Sequence, residues 1–269
     1  MMLEGKVAIV TGSTQGLGLD IARHLLTTGA RVMLVGRNAE AGQSLAKALG
    51  SHCAYFGCDV ERDEDIQDCI QATLARFGRL DILVNNACLY ADQGLASTRT
   101  QWLKTLNVNL VSAAIFTQQA AVHLPADGVV INIGSTGGKF GAAGRALYPA
   151  SKAGILQLTK NLAVSLAPQG IRVLSVSPAW TWSPSVADFS GNDPALADRV
   201  GAPFHPLGRI GRGEEVGSVV AFLCSPGAGW MTGVDVPVDG GFSILGPDRG
   251  ISPRRWFEQA DANHTPDSQ

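Results

Sequence analysis

Six short runs rich in Val, Ile and Leu recur along this chain, separated by longer stretches with a helical stripe. They are "KVAIV" (6–10), "RVMLV" (31–35), "DILVN" (81–85), "VVINI" (129–133), "RVLSV" (172–176) and "VDVPV" (234–238). Several are apolar on both faces, as strands are when helices cover both sides of their sheet. Leu17, Ile21 and Leu25 recur every four residues after the first run, and 63–77 and 214–224 carry similar stripes. This alternation predicts an α/β fold with a parallel, doubly wound sheet. No repeat or linker interrupts it, so one domain is expected over 1–246, with a polar tail over 247–269.

Two segments break the rhythm. Residues 183–212 are rich in Pro, Gly and Asp and read as a mobile lid or substrate loop. In the tail only Trp256 and Phe257 stand out among polar residues. Either the tail frays or this pair anchors it on a neighbouring subunit; the anchor is the favoured expectation.

Composition excludes several roles. Hydrophobic residues at 45% supply a large core, and charged residues at 16% argue against wholesale disorder. The net charge is −2 and no basic run is present, so a nucleic-acid partner is not expected. No apolar run is long enough to span a bilayer, and the start "MMLEGKVAIV" has an acidic residue where a signal peptide would be basic. A cytoplasmic location is expected. The five cysteines show no CxxC and no metal-ligand spacing, so free thiols and no metal site are expected. "NHT" at Asn263 matches a glycosylation sequon that is expected to stay empty.

The first strand runs into "TGSTQGLG", Thr11 to Gly18, with glycines at 12, 16 and 18. A glycine-rich turn between strand and helix lets backbone N–H groups approach a pyrophosphate, and the helix N-terminus adds favourable partial charge. A dinucleotide is therefore the expected ligand. An acidic residue at the end of the second strand would select NAD by binding the ribose 2′-hydroxyl. Here the sequence reads "LVGRN" (34–38): Gly36 has no carboxylate, and Arg37 offers a planar fork suited to a phosphate. NADP(H) is expected over NAD(H). Asp59 is expected either to bind the adenine or to cap the helix that follows.

These motifs, with "NNA" (85–87), "NVNL" (107–110), Ser135, Tyr148-x-x-x-Lys152 and "VDGG" (238–241), are similar to those of the short-chain dehydrogenase/reductase family. The likeness covers roughly residues 3 to 243. It implies a Rossmann fold, a nicotinamide cofactor, a homodimer or homotetramer, and catalysis by Asn109, Ser135, Tyr148 and Lys152. It implies cofactor contacts from Gly12, Ser13, Gln15, Gly16, Leu17, Gly18, Arg37, Asp59, Val60, Asn86, Ala87, Tyr148 and Lys152. Further contacts are implied in "SPAWTWS" (177–183): Pro178, the backbone at Trp180 and Thr181 for the carboxamide, and Ser183. Asn85 would support the central sheet, and Asn109 would bind a water leading from Lys152 to solvent. The chain departs from the family in Cys88 and Ala179, which stand where glycines are usual, and in Gln15, where many NADP-using members carry a basic residue.

The spacing has a chemical reason. Reducing a ketone adds hydride to carbon and a proton to oxygen. A phenol can give that proton, but its ordinary pKa is about 10, and an acid/base works best near the working pH. Moving it to about 7 takes roughly 4 kcal/mol of preference for phenolate, much of which a nearby cation can supply. Positions i and i+4 share a helix face, so Lys152 falls beside Tyr148. Ser135, at the end of a strand, can donate to the substrate oxygen.

A serine hydrolase is disfavoured because Ser135 lacks the G-x-S-x-G elbow. The alternatives that stay open are an NAD-dependent alcohol dehydrogenase of the same family and a non-catalytic dinucleotide-binding sensor or structural subunit. The substrate is expected to be a small-molecule carbonyl or alcohol. Trp180, Trp182, Phe189 and Phe204 either line its pocket or pack the lid; His205, in the lid, either touches substrate or is plain surface, and surface is the favoured expectation. The scattered Arg199, Arg209 and Arg212 disfavour a strongly anionic substrate.

Overall fold

The computed structural model describes residues 1–246 and 248–262; the sequon at Asn263 lies outside them. The chain alternates as expected. In order it forms β1 (Val7–Thr11), α1 (Gly16–Thr27), β2 (Arg31–Gly36), α2 (Ala39–Leu49), β3 (Cys53–Gly57) and α3 (Asp63–Phe77). Next come β4 (Ile82–Asn85), α4 (Arg99–Leu106), α5 (Ser112–Ala121), β5 (Val129–Ile133) and α6 (Leu147–Leu166). The last are β6 (Arg172–Pro178), α7 (Pro184–Phe189), α8 (Pro194–Gly201), α9 (Gly213–Leu223), β7 (Asp235–Val238) and α10 (Pro253–Ala262). The strands form one seven-stranded sheet in the order β3-β2-β1-β4-β5-β6-β7, and every pairing is parallel.

The sheet is doubly wound because its central strands are apolar on both faces. In β1, Ala8 and Val10 enter the core shared with α1 and α9, whereas Val7 and Ile9 enter the core shared with α3, α5 and α6. Alternate residues of a strand point to opposite faces, so each core takes every second side chain. Order reverses at β1 and β4. Ligands of open α/β sheets bind outside the carboxyl ends of the strands at such a switch point.

Two readings need correction. β3, "CAYFG", is a strand at the sheet edge that the runs of aliphatic residues did not show. It pairs with β2 from Val32–Cys53 to Gly36–Gly57, and its middle residues are only half-buried. The lid segment is not a bare loop: it folds into α7 and α8, each with Pro in its first turn and capped by Ser183 and Asp193. The tail forms α10, on whose exposed side Phe257 stands; Trp256 is half-exposed, with the Arg249 guanidinium over its ring. No helix among the described residues is long and apolar enough to cross a membrane.

Candidate active site

The phosphate turn is built by glycines that could be nothing else. Gly12 has φ +62°, and a Cβ there would stand 2.9 Å from the Ala87 Cα. A Cβ on Gly18 would meet both the Gly12 carbonyl oxygen and the Asn86 Nδ2 at 2.4 Å. Thr11 ties the turn to the "NNA" segment: its Oγ1 accepts from the Asn86 and Ala87 N–H groups at 2.9 and 3.0 Å. Asn86 in turn donates to the carbonyls of Thr11 and Gly12. Gln15 is exposed at the start of α1 and its side chain caps nothing, so the first N–H groups of that helix face outward. A cradle that any Cβ would fill, below an uncapped helix N-terminus, fits a pyrophosphate.

The structure divides the expected cofactor residues. Gly12, Gln15, Gly16 and Leu17 border the open turn. Ser13 does not: it is fully buried, its hydroxyl donates to the Val10 carbonyl at 2.6 Å and accepts from the Val35 N–H at 3.0 Å. Its role is to tie β1 to β2. Arg37 is exposed just past β2 and forms no ion pair among the described residues, while Asn38 behind it caps α2. Gly36 has no side chain because Thr14 occupies that space, 2.9 Å from where a Cβ would be. Asp59 does not cap α3. Its Oδ1 accepts from the Glu61 N–H, and the capping position falls to Arg62. Val60, half-buried, packs against the core.

At the other end, α6 presents Tyr148 and Lys152 on one face, both buried. The Lys152 ammonium donates to the Ile133 carbonyl at 2.7 Å and lies 5.7 Å from the Tyr148 ring centroid. Ser135 follows β5, its Oγ accepting from the Gly137 N–H at 3.0 Å. Both Ser135 Oγ and the Tyr148 ring edge flank Gly137, at 3.3 and 3.4 Å from where its Cβ would be. Asn109 sits in a π-helical turn, Asn107–Val111, and is buried. Such one-turn widenings concentrate at functional sites. Its side chain accepts from the Leu89 N–H and donates to the Leu89 carbonyl and Ser151 Oγ, at 2.7, 3.0 and 3.0 Å. The amide's two hydrogens are thereby used. Asn85 donates from β4 to Asn132 on β5 at 2.9 Å, in line with its expected support of the sheet.

Besides Thr11 at the phosphate turn, three residues that sequence reasoning passed over complete this end. Asp92 lies in the loop after β4, and its carboxylate accepts from the N–H groups of Ala146 and Tyr148 at 2.9 and 3.0 Å and of Gly94 at 2.9 Å. α6 has no cap of its own, so Asp92 caps it from 56 positions away. Burial pushes the Asp92 carboxyl up, but these N–H groups outweigh it and leave the group below the usual carboxylate value. Tyr90 stacks on Tyr148, ring centroids 5.1 Å apart and planes at 23°. Its other face is left to solvent, since the side chain is largely exposed. Arg145 places its guanidinium carbon 5.8 Å from the Tyr148 ring centroid. Cys88, in place of the usual glycine, is half-buried beside Lys152; burial raises its thiol and the ammonium partly opposes that.

The loop after β6 is stitched to residues before α9. Gly211 donates to the Trp180 carbonyl at 2.8 Å and accepts from the Trp182 N–H at 2.9 Å. Pro178 is buried at the strand end, and Ser183 Oγ accepts from the Val186 N–H. Pro184 comes 3.2 Å from where a Gly16 Cβ would stand, so the lid lies over the phosphate turn. The lid aromatics mainly pack: Trp180 meets Phe204 and His205, and His205 meets Phe242. Phe189 instead points to solvent, 89% exposed. His205 is not surface but buried, its Nδ1 bonded to the Gly201 carbonyl at 2.8 Å. Among the described residues no cluster of metal-ligating side chains occurs, and all five cysteines are free.

Known proteins share this arrangement. The family model described as enoyl-(acyl carrier protein) reductase matches residues 12–243. L-fucose dehydrogenase of Oryctolagus cuniculus is 35% identical over 94% of this chain and 88% of its own length. 4-Formylbenzenesulfonate dehydrogenase of Comamonas testosteroni is 38% identical over 91% of this chain and all of its own. The crystal structure of a short-chain dehydrogenase/reductase from Brucella melitensis, titled a glucose/ribitol dehydrogenase, superposes with a TM-score of 0.83 at 29% identity, covering 90% of this chain and 98% of that one. With its parallel sheet, glycine turn and Ser-Tyr-Lys end, the chain belongs to the short-chain dehydrogenase/reductase family of Rossmann-fold oxidoreductases acting on CH–OH and C=O groups.

Proposed function

We propose that the protein is an NADP(H)-dependent oxidoreductase that interconverts a small carbonyl compound and its alcohol, with Tyr148 as general acid/base. The observation that carries this reading is the convergence of Tyr148, Lys152 and Ser135 at the carboxyl end of β5, opposite the glycine turn. The bound nicotinamide supplies or accepts the hydride. Gly12, Gly16, Leu17 and Gly18 shape the pyrophosphate cradle, with Gln15 at its rim and Asn86 and Ala87 behind it. Thr181 backbone groups, Pro178 and Ser183 border the nicotinamide side, since the Trp180 carbonyl is already held by Gly211.

Tyr148 gives its proton to the substrate oxygen during reduction and recovers it during oxidation. Ser135 donates a hydrogen bond to that oxygen and stabilises the charge that develops on it. Lys152, fixed by the Ile133 carbonyl, holds its ammonium beside the phenol ring. The backbone of Asn109 binds the water that returns protons to Lys152. Asp92 holds the helix end that carries Tyr148.

Arg37 favours NADP(H). It is exposed and forms no ion pair among the described residues at the carboxyl end of β2, where a 2′-phosphate would lie. The substrate is small and cyclic: the Comamonas relative is named for an aldehyde on a benzene ring, and Tyr90 offers a ring surface at Tyr148. The protein acts in the cytoplasm as a homodimer or homotetramer. The test of the cofactor reading compares kcat/KM for NADPH and NADH in wild type and Arg37→Ala. A preference for NADPH that collapses about tenfold or more in the variant supports it, in line with loss of a charge-assisted contact. A wild-type preference for NADH rejects it.

A further inference from the structure

The cations around the lid are spoken for. Arg209 pairs with Glu215 at 2.6 Å, Arg212 with Asp198 at 2.7 Å, and Lys139 with Asp235 at 2.6 Å. Arg199 lies 3.9 Å from Asp193. The lid arginines therefore offer no anion site, as the sequence suggested. Arg145 differs. It is exposed, forms no ion pair or hydrogen bond among the described residues, and lies against the ring of Tyr148.

Its position is fixed from both sides. Gly144 before it has φ +74° and packs against the loop after β4, where a Cβ on Gly94 would stand 2.9 Å from the Gly144 carbonyl carbon. Ala146 after it is held by the Asp92 carboxylate. Asp92 forms no ion pair with the guanidinium; its oxygens accept from the N–H groups of Gly94, Ala146 and Tyr148. A guanidinium without an ion pair among the described residues thus stands over the Tyr148 ring, on which Tyr90 also stacks.

We infer that Arg145 is a specificity-determining residue, and that the substrate is a ring-bearing aldehyde, ketone or alcohol carrying a carboxylate or sulfonate away from its reacting carbon. A guanidinium binds either anion through paired N–H donors, and it is weakly hydrated enough to do so at a site mouth. The substrate ring would lie by Tyr90, and its carbonyl would reach Tyr148 and Ser135. This rests on the carbonyl–alcohol reading above and reverses the expectation drawn from the lid alone.

The experiment measures kcat/KM with NADPH for 4-carboxybenzaldehyde and for its methyl ester, which keeps the ring and aldehyde but not the charge. Wild type should prefer the acid. In Arg145→Ala the acid-to-ester ratio should fall by about tenfold to a hundredfold, the span of one charge-assisted contact. Arg145→Lys should recover part of it. Arg145→Glu should invert it and favour an aldehyde carrying a trimethylammonium group. A ratio unmoved by Arg145→Ala overturns the inference, as does an equal loss on acid and ester, which would assign the residue to the phenol instead. If wild type turns over neither compound, a wider panel of carbonyls and alcohols tests the carbonyl–alcohol reading separately. Calorimetric titration of both compounds in the presence of NADP+ then decides the anion site: tighter binding of the acid, lost in Arg145→Ala, supports it, and equal affinity overturns it.

Discussion

The two ends of the cleft are built on opposite plans. At the phosphate turn, side chains bind other parts of the protein: Thr11, Ser13 and Asn86 all spend their polar atoms on backbone groups. What remains for a ligand is backbone N–H and empty space. At the Tyr148 mouth of the cleft, Arg145 and Tyr90 project side chains that the described residues leave exposed. A turn made of backbone suits a ligand shared by a whole family. A mouth made of side chains can be changed residue by residue without disturbing the sheet. The middle ground is α6, which must serve both ends and is held by Asp92 from the mouth side.

The sharpest way to break this contrast is Gly18→Val. Its Cβ would overlap the Gly12 carbonyl, which belongs to the turn and cannot move aside. NADPH affinity by calorimetry should fall more than about a hundredfold, with stability reduced by about 1–3 kcal/mol from overpacking. Substrate selectivity should not change in whatever turnover survives. Normal cofactor affinity would mean that the turn is softer than its contacts imply.

Asp92→Ala should act from the other end. Losing a cap costs about 1–2 kcal/mol, which lowers Tm by roughly 2–8 °C in a chain of this size. The turnover number should drop more than cofactor affinity, because the frayed segment carries Tyr148 and not the phosphate turn. Asp92→Asn keeps an acceptor oxygen and should recover part of both losses. Equal loss of NADPH binding and turnover would dissolve the distinction between the two ends.

The smallest effect is in acid. Arg212 and Arg209 hold Asp198 and Glu215 below their ordinary values, and backbone N–H groups do the same for Asp92. These groups bind protons less readily folded than unfolded. Their stabilisation is full above the unfolded carboxylate values of about 4 and is lost as pH falls through the lower folded values. Unfolding free energy should therefore decline below about pH 5. Asp198→Asn should flatten that slope only slightly, since its pair with Arg212 is partly solvent-screened.

Much of the phosphate end was legible because its glycines, spaced in a strand–helix turn, leave few other conformations. Tyr148 and Lys152 were legible for a similar reason, as a fixed helical offset. The edge strand β3 was not, because "CAYFG" is half-buried and mixes aromatics with small residues where aliphatic runs mark the others. Its Tyr55 and Phe56 were the available signal. Asp92 carried no local signal at all: the groups it caps lie 54 and 56 positions away. Arg145 carried no signal in its Gly/Ala-rich stretch, because only the fold sets it over Tyr148. A lone histidine is usually surface, but His205 is buried by Trp180 and Phe242 and by its bond to the Gly201 carbonyl.

The central claim is that Tyr148 does proton chemistry in a carbonyl reductase. The most direct measurement follows absorbance of NADPH at the reduced-nicotinamide band with a panel of ring aldehydes and ketones, in wild type and Tyr148→Phe, with cofactor binding measured alongside. The account predicts turnover by wild type, lost by about a hundredfold to ten-thousandfold in the variant while NADPH still binds. Cofactor binding without turnover of any carbonyl or alcohol in wild type, or undiminished turnover in Tyr148→Phe, would contradict it.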